Sequence, residues 1–355
     1  MPVIDADTHV IETEHTWDFI EPADQQYRPQ IVTPRGNPDK EYWMVDGKLW
    51  GVARFGGRDY KELSKLSGRD MDVSVQSREM DDLGERLRDM DRMGVDVQVL
   101  YPSIFLSYGA ERPAADVAIC RGYNRWLADV WARSEGRLGW ACVPPLTSMP
   151  DALDELRWSK EHGACGIFMR CLEGGRVLQD PYFYPLYEEA SRLGLAVTVH
   201  IANSNRPMSE LVAQHNSTGT LWALRLALVG AFHAIILTGL PDRFPKLRFG
   251  FIEAASEWIP FALKDLRRRM PALKRKLPDL PLKDYRMFVT CQTDDDIAHV
   301  LQYAGEDNLL IGTDYGHNDQ SSELEALKHL RESGGITDRQ YTKITSTNPA
   351  ALYGL

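Results

Sequence analysis

The chain has 355 residues, 43% of them hydrophobic and 26% charged, with a formal net charge of −10. This is the composition of a globular protein able to bury a large core, either two ordinary domains or one large α/β domain. The acidic balance argues against general binding to nucleic acid or to an anionic membrane surface, so neither is expected as a partner.

The opening MPVIDADTHV lacks a basic segment followed by an apolar one, so no secretory signal is read and a cytoplasmic protein is expected. Five cysteines, Cys120, Cys142, Cys165, Cys171 and Cys291, without Cys-x-x-Cys spacing, fit reduced core thiols better than a disulfide framework or a zinc knuckle. The longest apolar run, Leu226 to Leu237, falls short of the roughly 20 residues a bilayer requires and contains His233, so it reads as a buried helix.

Val3 to Glu12, VIDADTHVIE, reads as a short strand. Alternation would put Asp5, Asp7 and His9 on one face, and an Asp-x-His pair at a strand end suits a divalent metal. Residues 13–80 are rich in proline, glycine and charge and read as an insertion after strand one. It would be either an element covering a site or a surface excursion with a small hairpin around VDGK. Ser77 to Met93 is expected to be helical. Then GVDVQVLYPS, GRLGWACVPP, GACGIFMRC, LGLAVTVHIANS, LRFGFIEAAS, MFVTCQ and NLLIGTDYG follow as apolar strands separated mostly by helical stretches. With the first strand they make eight alternating units, which predicts a single (β/α)8 TIM barrel over 1–355. A doubly wound open sheet would want a glycine-rich turn after its first strand, and none is there.

In such a barrel the site forms at the C-terminal ends of the strands. Polar residues closing apolar strands are Asp7 and His9 on the first, His200 on the fifth, Glu253 on the sixth and Asp314 on the eighth. Carboxylates crowded at one mouth would repel one another without a cation between them, so a metal is expected.

The order Asp-x-His, then His, then Asp resembles the amidohydrolase superfamily, in particular the branch of aminocarboxymuconate semialdehyde decarboxylase and related aromatic acid decarboxylases. DADTHVIE, DPYFYPLYEEASRLGLAVTVH, PDRFPKLRFGFIEAASEWIPF and LIGTDYGHND carry the likeness nearly from end to end. The resemblance implies a metal-dependent barrel enzyme with Asp7, His9, His200 and Asp314 as ligands, His317 close behind, and a homodimeric assembly. Many relatives carry His-x-His or Glu-x-His on strand one and a histidine near the end of strand six, where this chain has Asp7, His9 and Glu253. Glu253 could bind a second ion, so one or two ions of zinc, iron or manganese are expected. No lysine ends strand four to be carboxylated as in other binuclear members.

Among other polar residues, Arg170 could hold a substrate carboxylate or pair with an acidic neighbour. Asn203 and Asn205 could hydrogen-bond a substrate, or serve a turn. His233 reads as a packed histidine, and His317 as a partner of a ligand or an acid. The basic run from Lys264 to Lys283, with Arg267, Arg268 and Arg269, is either a solvated helix face or an attractor for a phosphate-bearing thioester. Trp17, Trp43, Trp50 and Tyr101 could line an aromatic pocket or fill the core. The leading expectation is hydrolysis of an ester, thioester or amide of a small organic acid. Water activated at the metal would attack, and Asp314, with His317 or Glu253, would move its proton. The alternative is non-oxidative decarboxylation of an aromatic or unsaturated acid, and a third reading is a barrel that binds ligands without chemistry.

Overall fold

The computed structural model describes residues 1–33, 35, 36, 40–55, 65, 71–107, 109–202, 207, 210, 211, 221–333 and 335–355. Strand β1 (Ile4–His9) leads into a small antiparallel sheet of β2 (Gln30–Val32), β3 (Lys40–Val45) and β4 (Lys48–Phe55). Then come β5 (Val97–Tyr101), β6 (Leu138–Cys142), β7 (Ala164–Arg170), a two-stranded ribbon of β8 (Leu172–Glu173) and β9 (Arg176–Val177), and β10 (Ala196–His200). The set ends with β11 (Phe249–Ile252), β12 (Met287–Cys291) and β13 (Leu309–Ile311). Strands β1, β5, β6, β7, β10, β11, β12 and β13 form, in that order, one parallel sheet rolled into the barrel that the eight apolar runs predict. Helices cover its outside, which is why β6, β7, β10, β11, β12 and β13 are buried along their whole length and read as continuous apolar runs.

The barrel closes at the segment that follows β13. Asp314 N–H donates to the Asp7 carbonyl at 3.0 Å and His9 N–H to the Tyr315 carbonyl at 2.6 Å, so Thr313–Tyr315 lies alongside β1. Gly312 permits the approach: a Cβ there would sit 2.3 Å from Asp7 Cβ. The polar residues after β13 are thereby fixed against those of β1.

Strand β1 departs from simple alternation. Its register against β5 shifts between Asp5 and Thr8, and Asp5 faces away from His9. Its carboxylate accepts from Thr313 N–H at 2.9 Å and Thr313 Oγ1 at 2.6 Å. Asp5 is a brace for the closing segment, which corrects the expectation that Asp5, Asp7 and His9 share a face.

Two other expectations change in detail, and the hairpin around VDGK is present. The helix expected over Ser77 to Met93 is two helices, Val75–Arg78 and Leu83–Met93, the second capped by the Asp82 side chain accepting from Glu85 N–H. Within 13–80, β3 and β4 make a hairpin turning at Asp46 and Gly47, both with positive φ. It leans on the turn after β5, with Trp50 against Phe105 at 6.0 Å. The apolar run is part of a longer helical stretch, Leu221–Thr238, 18 residues of mean hydropathy 1.8 and only 33% buried. Leu228, Phe232, Ile235 and Ile236 pack inward while Leu221, Trp222 and Leu226 are exposed. The run is therefore neither as short nor as buried as the sequence suggests, although it occupies the place of a barrel helix between β10 and β11.

Candidate metal centre

Asp7 and His9 from β1, His200 from β10, Glu253 just after β11 and Asp314 just after β13 meet at the C-terminal end of the barrel, all buried. His200 Nε2 lies 3.3 Å from Asp7 Oδ1 and 3.4 Å from Glu253 Oε2. His9 Nε2 lies 3.5 Å from Asp7 Oδ1 and 3.4 Å from Asp314 Oδ1. Both strand-end carboxylates sit on left-handed backbone, Glu253 at φ 68° and Asp314 at φ 51°, a conformation non-glycine residues rarely adopt and one that collects at functional sites.

The histidine tautomers follow from their other nitrogens. His9 Nδ1 is 3.0 Å from the Pro102 carbonyl and His200 Nδ1 is 2.8 Å from the Ile201 carbonyl. A carbonyl only accepts, so both Nδ1 atoms carry hydrogen and both Nε2 atoms present lone pairs to the centre. His9 Nε2 is buried with no hydrogen-bond partner among the described residues, an orphan that a metal ion would satisfy. Ligand atoms of Asp7, His9, His200 and Glu253 all lie within 4.8 Å of one another, as do those of His9, Glu253, Asp314 and His317. Two imidazoles and three carboxylates suit zinc, manganese or iron; this donor set fits a divalent metal.

Charge in the centre is set by burial and by neighbours. For Asp7, burial works against ionisation, yet His200 and His9 hold its carboxyl well below the usual range. Burial, with Asp314 and other nearby carboxylates, holds Glu253 well above its ordinary value. Burial also pushes Asp314 up to about 6, against the pull of His317. For His317, burial opposes the charged ring, but the Asp314 carboxylate prevails and lifts it to about 9.

His317 stands 2.9 Å from Asp314 Oδ1 through Nδ1. Its Nε2 is 2.7 Å from Ser103 Oγ. Ser322 Oγ donates to Asp314 Oδ2 at 2.6 Å. Glu12, Ser103 and Ser322 escaped the sequence reading. Glu12 sits inside VIDADTHVIE, where a buried carboxylate three residues after His9 was the available signal; the two serines carried none.

The remaining candidates fall elsewhere. Arg170, at the end of β7, donates to Glu173 Oε2 from Nε at 3.1 Å and from NH2 at 2.6 Å, and from NH1 to the Phe105 carbonyl at 2.9 Å. It pairs with an acidic neighbour, one of the two roles read for it. Asn203 and Asn205 lie outside the described residues. Arg267 and Arg268 are exposed in the last turn of helix Ile259–Arg269. Their exposure there fits the solvated helix face, one of the two readings of the basic run. His233 Nε2 meets Asp265 Oδ2 at 2.9 Å. Trp17 and Trp43 pack edge to face in the core at 5.9 Å, and Tyr101 is buried with its hydroxyl 2.8 Å from that of Tyr353.

Three likenesses bear on this arrangement. The 2-amino-3-carboxymuconate-6-semialdehyde decarboxylase of Dictyostelium discoideum is 24% identical over 266 residues, 70% of this chain and 71% of that protein. A crystal structure of an amidohydrolase from Mycobacterium avium subsp. paratuberculosis K-10 superposes with a TM-score of 0.80 at 19% identity, covering 99% of each chain. A dihydroxybenzoic acid decarboxylase from Polaromonas sp. JS666, solved with manganese and the inhibitor 2-nitroresorcinol, superposes with a TM-score of 0.67 at 17% identity, covering 100% of this chain and 97% of that one. The amidohydrolase family model matches residues 4–355, and this chain, with its barrel and its strand-end histidines and carboxylates, belongs to that family.

Proposed function

We propose that the protein is a metal-dependent, non-oxidative decarboxylase of an aromatic or unsaturated carboxylic acid. The observation that carries this reading is the contact of His317 with Asp314. An imidazole lone pair held 2.9 Å from a carboxylate oxygen would be repelled, so the pair holds one proton at rest beside the metal ligands. Decarboxylation consumes such a proton: the carbon–carboxylate bond breaks, carbon dioxide leaves, and the electron pair left on carbon takes the proton. Hydrolysis of an ester, thioester or amide instead begins by removing a proton from water, and the pair already holds one.

Asp7, His9, His200 and Asp314 would hold one divalent ion, which when bound supplies positive charge to orient and polarise an anionic acid. The second donor group includes His317, whose Nδ1 and Nε2 are both engaged, which favours one ion over two. Asp314, steadied by Ser322, would present the proton to carbon, and His317 would restore it. The names of the relatives support this reading over the hydrolytic one: two of the three proteins described above are decarboxylases of unsaturated or aromatic acids. The test is a panel of hydroxybenzoate-type and unsaturated acids alongside esters, thioesters and amides. Metal-dependent carbon dioxide release from an acid, lost in Asp314→Asn, is expected. Turnover of the esters, thioesters or amides with no carbon dioxide from any acid would reject the proposal.

A further inference from the structure

Outside the ligands, one buried carboxylate and one hydroxyl on separate loops are tied together and to His317. Glu12, in the loop after β1, accepts from Ser103 N–H at 3.0 Å through Oε1 and from Ile104 N–H at 2.9 Å through Oε2. Both its oxygens are thus spent on backbone amides of the turn after β5, which fixes Ser103 where that turn begins. Ser103 Oγ in turn lies 2.7 Å from the Val10 carbonyl and 2.7 Å from His317 Nε2.

We propose that Ser103 is a positioning residue that fixes the ring of His317 beside Asp314, with Glu12 holding Ser103 in place. A hydroxyl has one hydrogen and a carbonyl oxygen only accepts, so the Ser103 hydrogen goes to Val10 and Oγ accepts from His317 Nε2. Nε2 therefore carries hydrogen. With Nε2 turned to Ser103, Nδ1 faces Asp314 Oδ1 at 2.9 Å. The ring is also held against flipping, stacked on His9 with centroids 3.7 Å apart and 22° between planes. An unanchored imidazole would exchange nitrogens and lose this direction. Ser103 thus fixes which nitrogen of His317 faces Asp314.

The kinetic consequence rests on the decarboxylase reading, but the placement of the proton does not, and the test reads both. Protein labelled with nitrogen-15 in histidine and loaded with zinc is compared by NMR as wild type, Ser103→Ala, Ser103→Thr and Glu12→Gln. The expected result is a His317 Nε2–H protected from solvent exchange in wild type and Ser103→Thr, unprotected in Ser103→Ala, and intermediate in Glu12→Gln. The kcat of Ser103→Ala should fall about 10- to 100-fold with KM little changed, the range typical of losing an outer partner of a metal site, and Ser103→Thr should recover most of it. A protected Nε2–H that survives in Ser103→Ala would overturn the proposal, as would a Ser103→Thr variant no better than Ser103→Ala. If no acid is decarboxylated but the NMR pattern holds, the functional reading fails and the positioning of His317 stands.

Discussion

The ring of His317 lies flat against that of His9 while its Nδ1 reaches to 2.9 Å from Asp314 Oδ1. Two proposed metal ligands, His9 and Asp314, and the histidine proposed to restore the proton are thus packed into one layer. Because Asp314 N–H is bonded to the Asp7 carbonyl at 3.0 Å, this layer is registered on β1. The same closure that completes the barrel therefore aligns the chemistry of its first and last strands.

Replacing Asp314 with asparagine removes both a ligand oxygen and the proton carrier. Turnover should fall by at least the roughly 10²- to 10⁴-fold typical of losing a general acid. Circular dichroism should be unchanged, because the Asp314 backbone bonds that close the barrel remain. Activity within tenfold of wild type would remove Asp314 from the reaction.

Plasma emission spectroscopy should find one metal ion per chain. Asp7→Asn and His200→Ala should lose it, whereas Glu253→Gln should keep it, since the four proposed ligands, Asp7, His9, His200 and Asp314, remain. Two ions in wild type falling to one in Glu253→Gln would restore the binuclear expectation.

Arg170 should matter for stability more than for substrate affinity. Arg170→Met leaves Glu173 buried without its cation, which typically costs about 3–5 kcal/mol, so denaturant unfolding should shift markedly. A raised KM in a variant of undiminished stability would instead return Arg170 to substrate binding.

Glu12 gives the stability a definite pH dependence. Burial pushes its carboxyl from 4.5 up to about 7, against the pull of the Ile104 and Ser103 amides. A raised folded-state value means that the native protein holds this proton more tightly than the unfolded chain. Its contribution is therefore full below about pH 4.5 and is lost as pH rises to about 7, a change on the order of 3 kcal/mol. Urea midpoints measured at pH 5 and pH 8 should converge in Glu12→Gln relative to wild type. An unchanged difference would mean that other groups carry the dependence.

The parts of the site that were legible in sequence share one physical feature. Asp7, His9, His200, Glu253 and Asp314 each interrupt an apolar run where a strand ends, and a polar residue at the edge of a buried strand has few other reasons to be there. Asp5 misled because a register shift breaks the alternation on which its orientation was inferred. Arg170 was ambiguous because its partner, Glu173, lies beyond the strand on a two-stranded ribbon that the composition does not announce. Ser103 and Ser322 carry no signal in local sequence, and Glu12, although it sits within the first motif, acts through two hydrogen bonds to a loop far along the chain. Arg267 and Arg268 are exposed in the last turn of their helix, which fits the solvated face, one of the two readings of the basic run.

The most direct test of the account is one incubation of the metal-loaded enzyme with a carboxyl-labelled hydroxybenzoate-type acid in water carrying both deuterium and oxygen-18. The account predicts one labelled carbon dioxide released per deuterium placed on the carbon that bore the carboxylate, with no oxygen-18 in the organic product. A parallel incubation with an ester or thioester that puts oxygen-18 into the product acid, while no carbon dioxide leaves the hydroxybenzoate, would contradict it.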